Sequence, residues 1–145
     1  MIKIRVEYVL DKNVEEVFDA ITDHENYKNF PAFDDSKLIE VGKKEKNGVG
    51  ALRLLCSGRV RFKERITCFE RPFRMNYIVE EISPSIPMRQ EKGEITMTPL
   101  NGKTKVVWIS EAHIDIPIIG FLLEKVAERR VASAFRGILK HIELN

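Results

Sequence analysis

The order of periodicities along the chain constrains its fold more than any other feature. Residues 2 to 10 alternate in polarity, a short helical stretch follows, breakers then cut the chain at strand-sized intervals, and a long amphipathic helix begins after Pro117. In that last segment Leu123, Val126, Ala127, Val131, Ala134, Phe135, Ile138 and Ile142 hold a 3.6-residue period. At ~1.5 Å per residue the helix is about 40 Å long, enough to cross a whole sheet. A sheet that ends in one such helix has to wrap it, and a wrapped helix leaves room for a cavity. The pattern therefore points to a pocket for an apolar small molecule, without naming the molecule or any chemistry done to it.

Length and charge narrow the class. The 145 residues suit one domain spanning 1–145, large enough to bury a real core. Twenty-four basic and 22 acidic residues give a formal charge of +2, so no global field favours DNA or an anionic membrane, and any basic patch must be local. No apolar run approaches the roughly 20 residues of a membrane span, and the start, MIKIRVEYVL, alternates where a signal peptide would be continuously apolar. The expectation is a cytoplasmic protein without integral membrane association. Cys56 and Cys68 flank a hairpin too asymmetrically to meet, so both read as free thiols. There is no CxxC, no HExxH and no His cluster, so neither a metal site nor a cofactor is expected.

Local signals place the elements. Ile2, Ile4, Val6, Tyr8 and Leu10 share one strand face. Asn13 followed by Glu16 has the spacing of an N-cap with a returning acid, and Val14, Val17, Phe18 and Ile21 recur at helical intervals. A second helical turn from Thr22 or Asp23 carries Tyr27 and Phe30 and stops at Pro31. Asn101 and Gly102 form a type I′ turn signal that sets Met97 opposite Val106, Ile95 opposite Trp108 and Gly93 opposite Ser110, with Lys92 and Glu111, and Gln90 and His113, on the solvent side. A loop at Ser57 and Gly58 would set Phe62 opposite Arg53 and Glu64 opposite Ala51, and the next hairpin would put Tyr77 across from Glu64. Arg59, Arg61, Lys63 and Arg65 take the other face of that strand, which turns Glu64 inward; a shifted loop would leave the side of Arg53 open.

Several segments carry a family resemblance in their order: ITDHENYKNFPAF at 21–33, GVGALR at 48–53, the strand 60–66 with its inward glutamate, RPFRMNY at 71–77 and GKTKVVW at 102–108. Together they resemble the START-like superfamily of helix-grip folds, which includes the polyketide cyclase/dehydrase and lipid transport proteins. YKNFPAF is similar in particular to the coenzyme Q-binding protein and ribosome-associated toxin branch. The resemblance covers the whole chain. It implies an α+β fold, a curved antiparallel sheet of about seven strands wrapped around a long C-terminal helix, with two short helices after the first strand and a ligand cavity beneath the long one. It does not imply an activity, and no set of residues carries over as a catalytic site.

The pocket walls expected from these registers are Arg53, Phe62, Glu64, Tyr77, Ile95 and Trp108 on the sheet and Val131 and Phe135 on the helix, with Phe30 and Phe33 at the rim. Glu64 admits two readings, a polar anchor or acid/base in a dry pocket and a structural partner of Arg53 or Tyr77. Trp108 either walls a flat ligand or fills core, and Gly93 opposite Ser110 would leave space beside its indole. Gly137 marks either a close approach to the sheet or a fraying helix end. The histidines His24, His113 and His141 read as surface residues, and the basic row from Arg59 to Arg65 as a solvated face. Three functions follow: a carrier of a lipid, isoprenoid or aromatic polyketide-like molecule; a cyclase/dehydratase in which Glu64, Tyr77 and Arg53 steer proton transfers; and a protein- or ribosome-interaction module using the basic strand face and the Phe30 to Phe33 loop.

Overall fold

The computed structural model describes all 145 residues. Strand β1 (Ile2–Leu10) leads into helix α1 (Val14–Ile21) and a 3-10 helix (His24–Asn29). Strands β2 (Asp35–Glu40), β3 (Leu52–Ser57), β4 (Val60–Glu70), β5 (Arg74–Ser83), β6 (Met88–Leu100) and β7 (Lys103–Ile114) follow, and helix α2 (Gly120–Leu144) completes the chain. All seven strands form one antiparallel sheet in the order β1-β7-β6-β5-β4-β3-β2, so β1 and β2 are the free edges. This is the helix-grip arrangement expected from the sequence. No helix is long and apolar enough to cross a membrane.

The turn chemistry explains most of the registers. Asn101 and Gly102 both take positive φ, at 51° and 81°, as a type I′ loop requires. Met97 accordingly faces Val106, Ile95 faces Trp108, Gly93 faces Ser110 and Lys92 faces Glu111. The Asn13 cap is also present, its side chain accepting from the Glu16 N–H at 2.9 Å. Cys56 is buried, Cys68 is half-buried and both are free.

Three registers differ from expectation, each for a local reason. The tip of the β3–β4 hairpin is Gly58 and Arg59, because Gly58 supplies positive φ at the first loop position (59°) while Ser57 stays in the strand, donating to Ala32 O at 2.8 Å. Every partner moves by two residues, which preserves the face and sets Arg53 directly opposite Glu64. Irregularities between Lys63 and Glu64 and between Ile66 and Cys68 then shift β4 against β5, so that Val79 faces Glu64 and Tyr77 faces Ile66. Such bulges also bend the strands around the helix. A third irregularity, between Gln90 and Lys92, sets Gln90 opposite Ala112 and Arg89 opposite His113.

That last shift matters because β5 and β6 pair only from Arg74–Thr96 to Asn76–Glu94 before they part. Beyond the split, Gln90 bridges the gap by accepting the Val79 N–H on its side-chain oxygen at 2.7 Å. Gly93 sits at the split, where an added Cβ would lie 2.5 Å from Tyr77 O and 3.0 Å from the Tyr77 ring. The space expected beside Trp108 is therefore occupied by Tyr77.

Helix α2 is clipped to the free edge of β1 by its acids. Glu128 accepts the Lys3 N–H at 2.9 Å, and Glu143 accepts the Asp11 N–H at 3.0 Å and the Tyr8 hydroxyl at 2.8 Å. Edge donors that would otherwise stay open are covered in this way. Gly137 lies in mid-helix with nothing within 4 Å of an added Cβ, so it marks neither a close approach nor a frayed end.

Candidate functional site: a cavity floored by an ion pair

Between the concave sheet face and α2 lies a cavity of about 440 Å³ lined by 27 residues, 21 of them hydrophobic. Its apolar character follows from strand alternation, which turns Ile2 and Ile4 of β1, Val60 and Phe62 of β4, Tyr77 and Val79 of β5, and Trp108, Ala112 and Ile114 of β7 toward it. Arg53, Phe62, Glu64, Tyr77, Trp108, Val131, Phe135 and Phe33 all contribute to the wall. Two expected residues do not. Ile95 is fully buried in the core beneath the wall, and Phe30 is packed edge-on against Tyr27 at 5.0 Å and His141 at 5.4 Å. Phe30 is thus a core residue holding the 3-10 helix to α2, and it offers no surface to a protein partner.

The polar floor is built around Arg53, whose side chain is 1% exposed. Its Nε and Nη2 both donate to Glu64 Oε1, at 2.9 and 2.7 Å. Its Nη1 donates to His24 Nδ1 at 3.2 Å. The guanidinium lies over the Tyr27 ring at 4.6 Å and near the Tyr77 ring at 5.3 Å, positions that favour a delocalised cation. A buried charge needs such enclosure, since desolvation is repaid only when the partner geometry is good.

His24 is the residue that the sequence reading misplaced. It is fully buried, and its Nε2 donates to Asn47 O at 2.9 Å, which leaves Nδ1 as the acceptor for Arg53. Burial first, and the Arg53 charge second, push its pKa from 6.5 down to about 3, so the ring is neutral at physiological pH. A signal was available: a helical turn starting at Thr22 or Asp23 places His24 and Tyr27 three residues apart on one inward face.

On the floor itself, two hydrogen-bonding positions remain open toward the cavity. Glu64 Oε1 takes both arginine bonds, while Oε2 has no protein partner and Glu64 borders the cavity. The Tyr77 hydroxyl accepts the Trp108 indole N–H at 2.9 Å, but its own proton has no protein acceptor. Burial, with the Glu64 charge beside it, raises the Tyr77 pKa, so the hydroxyl keeps that proton. One open acceptor and one open donor thus lie side by side on the floor of a mostly apolar space, whose other polar lining residues are Ser57, Gln90, Ser110 and Arg130. Above them Trp108 stacks on Phe135 with centroids 4.1 Å apart and planes 11° from parallel, so sheet and helix share one aromatic wall.

Two of the four residues in the basic row on the outer face of β4 are neutralised by acids. Arg65 pairs with Glu80 and Glu40, and Lys63 pairs with Glu81. It remains a solvated face.

Known proteins share this architecture. The family model for polyketide cyclase/dehydrase and lipid transport proteins matches residues 1–144. The chain belongs to this family. Among solved structures, TTHA0849 from Thermus thermophilus superposes with a TM-score of 0.75 at 19% identity, over 97% of this chain and 94% of that one. The Zhui aromatase/cyclase from a Streptomyces species gives 0.74 at 15% identity, over 97% and 93%. A START superfamily protein from Mycobacterium smegmatis gives 0.72 at 12% identity, over 97% and 98%. At these identities the likeness establishes the fold alone. No curated protein matches the chain.

Proposed function

We propose that this family member binds and carries one compact apolar molecule bearing a hydroxyl or carbonyl group, with the apolar body against Trp108 and Phe135 and the polar group on the Arg53–Glu64–Tyr77 floor. The observation that carries the reading is the combination of a largely apolar wall with an unused acceptor on Glu64 and an unused donor on Tyr77. Small-molecule sites have this composition: apolar lining for affinity and a few convergent polar groups for orientation. A cavity of about 440 Å³ stands in the lower part of the usual range of roughly 300–1,000 Å³. An aromatic or short isoprenoid body fits inside, and a longer chain would extend through the mouth.

A finer placement, beside the coenzyme Q-binding and ribosome-associated toxin branch, rests on the resemblance of Tyr27 to Phe33. Tyr27 and Phe30 are buried in packing while Phe33 lines the cavity. This supports ligand binding over an interaction module for that segment.

Trp108 is the sole tryptophan, so the site has its own reporter. Titration with the neutral apolar probe N-phenyl-1-naphthylamine should quench Trp108 emission and sensitise the probe. Ala134→Phe, which fills the cavity from the helix side, should abolish that transfer while the protein stays folded by far-UV circular dichroism. Equal transfer in both proteins, or none in either, would refute the pocket.

A further inference from the structure

The first two turns of α2 and the loop before them leave six large apolar side chains in solvent: Ile118, Ile119, Phe121, Leu122, Leu123 and Val126. Isolated exposed apolar residues are ordinary, but a contiguous group of this kind marks an interaction surface. Ile118 is 90% exposed at φ 72°, a backbone conformation that β-branched residues rarely adopt.

The charges around this group are one-sided. Both acids of the segment are engaged with the sheet side, Glu124 accepting the Ile114 N–H and Glu128 the Lys3 N–H, each at 2.9 Å. Lys125, Arg129 and Arg130 lie at exposed positions; Lys125 reaches Glu128 at 3.9 Å, and neither arginine has an acidic partner. The near-neutral chain thus concentrates cations beside this exposed apolar group. The surface is also continuous with the cavity mouth. Leu123, Val126 and Arg130 recur at i, i+3 and i+7 along one shoulder of α2, and Arg130 itself lines the cavity. Across the mouth the β5–β6 loop carries half-open Ile86, tied to this rim by the Asp115 N–H donating to Pro87 O at 2.7 Å.

We propose that this surface docks the protein peripherally on an anionic lipid bilayer, with the apolar crest inserted among the acyl chains and Lys125, Arg129 and Arg130 at the head groups. Apolar residues flanked by cations are the pattern of interfacial helices. A second copy of the chain fits less well, because two-fold pairing of this face would set the same cations against each other. Docking in this orientation would place the cavity mouth on the membrane, where an apolar molecule can enter or leave without crossing water.

The test is sedimentation with vesicles, and it needs no bound ligand, so its failure leaves the cavity reading standing. The protein should co-sediment with phosphatidylcholine/phosphatidylglycerol vesicles and not with phosphatidylcholine alone, and added salt should release it. Phe121→Ser with Leu122→Ser should remove binding, and Lys125→Glu with Arg129→Glu should weaken it roughly tenfold or more. All these positions are exposed, and circular dichroism with thermal midpoints verifies folding. A Phe121→Trp variant adds a direct readout, a blue shift of the new indole on vesicle addition. Failure to sediment, equal binding to both vesicle types, or a dimer in size-exclusion chromatography that the same serine substitutions dissolve would overturn the proposal.

Discussion

His24 shows how far one side chain's behaviour depends on its enclosure. In the unfolded chain it titrates near 6.5, and in the fold near 3, because burial and the neighbouring guanidinium both oppose a second proton. Between those values the unfolded state binds the extra proton, so stability is complete above about pH 6.5 and falls as pH drops toward 3. Urea denaturation from pH 7 to pH 4 should show a loss of roughly 1 kcal/mol per pH unit from this group, which His24→Gln removes. A wild type and variant with parallel pH profiles would refute the assignment. The inward side of Glu64 was legible at this scale, since alternation against Arg59, Arg61, Lys63 and Arg65 leaves it only the inner face, whereas its pairing with Arg53 came from the structure. His24 reads as a surface residue because its immediate neighbours, Asp23 and Glu25, are charged, although its three-residue spacing from Tyr27 marks the inward face. Its burial comes from β3 and from the Asn47 loop, which only the assembled fold brings over it.

At the level of elements, turn chemistry decided what could be read. Asn101–Gly102 admits one register, and the long β6–β7 hairpin follows it to Lys92. Ser57–Gly58–Arg59 admits two, differing by which pair forms the tip, and both keep the same face because the shift is even. The bulges at Lys63–Glu64, Ile66–Cys68 and Gln90–Lys92 had no sequence marker such as an inserted glycine or proline, so the partners of Glu64, Tyr77 and Gln90 emerged only from the structure. The periodicity of α2 located Phe135, Ile138 and Ile142 of its buried stripe, missed Leu139, and counted Leu123 and Val126 with it although both are exposed; it left Gly137 unexplained. With open space around it and an ordinary helical backbone, Gly137→Ala should raise unfolding free energy by about 1 kcal/mol in chemical denaturation. A destabilised variant would mean that Gly137 serves an approach to a partner or ligand.

On the scale of the whole molecule, the seven-stranded sheet grips α2 at the β1 edge through Glu128 and Glu143 and leaves a cavity further in. The sheet is tight where Asn76 pairs with Glu94 and open beyond, with Gln90 alone spanning to Val79. Apolar volume, a polar floor and an amphiphilic rim thus occur in sequence from the inside of the protein to its surface. The family and fold could be recognised from the order of motifs, because helix-grip topology is written in element order. The size of the cavity could not, since it depends on side chains such as Tyr77 filling space that a glycine seemed to leave. The central claim is that this space holds a ligand in the native protein. Native mass spectrometry of the purified protein, followed by solvent extraction of the same sample, tests it directly. The account predicts one extra apolar compound per chain that is recovered in the extract and absent from Ala134→Phe. A bare protein mass in every preparation, after exposure to a total lipid and isoprenoid extract as well, would contradict it.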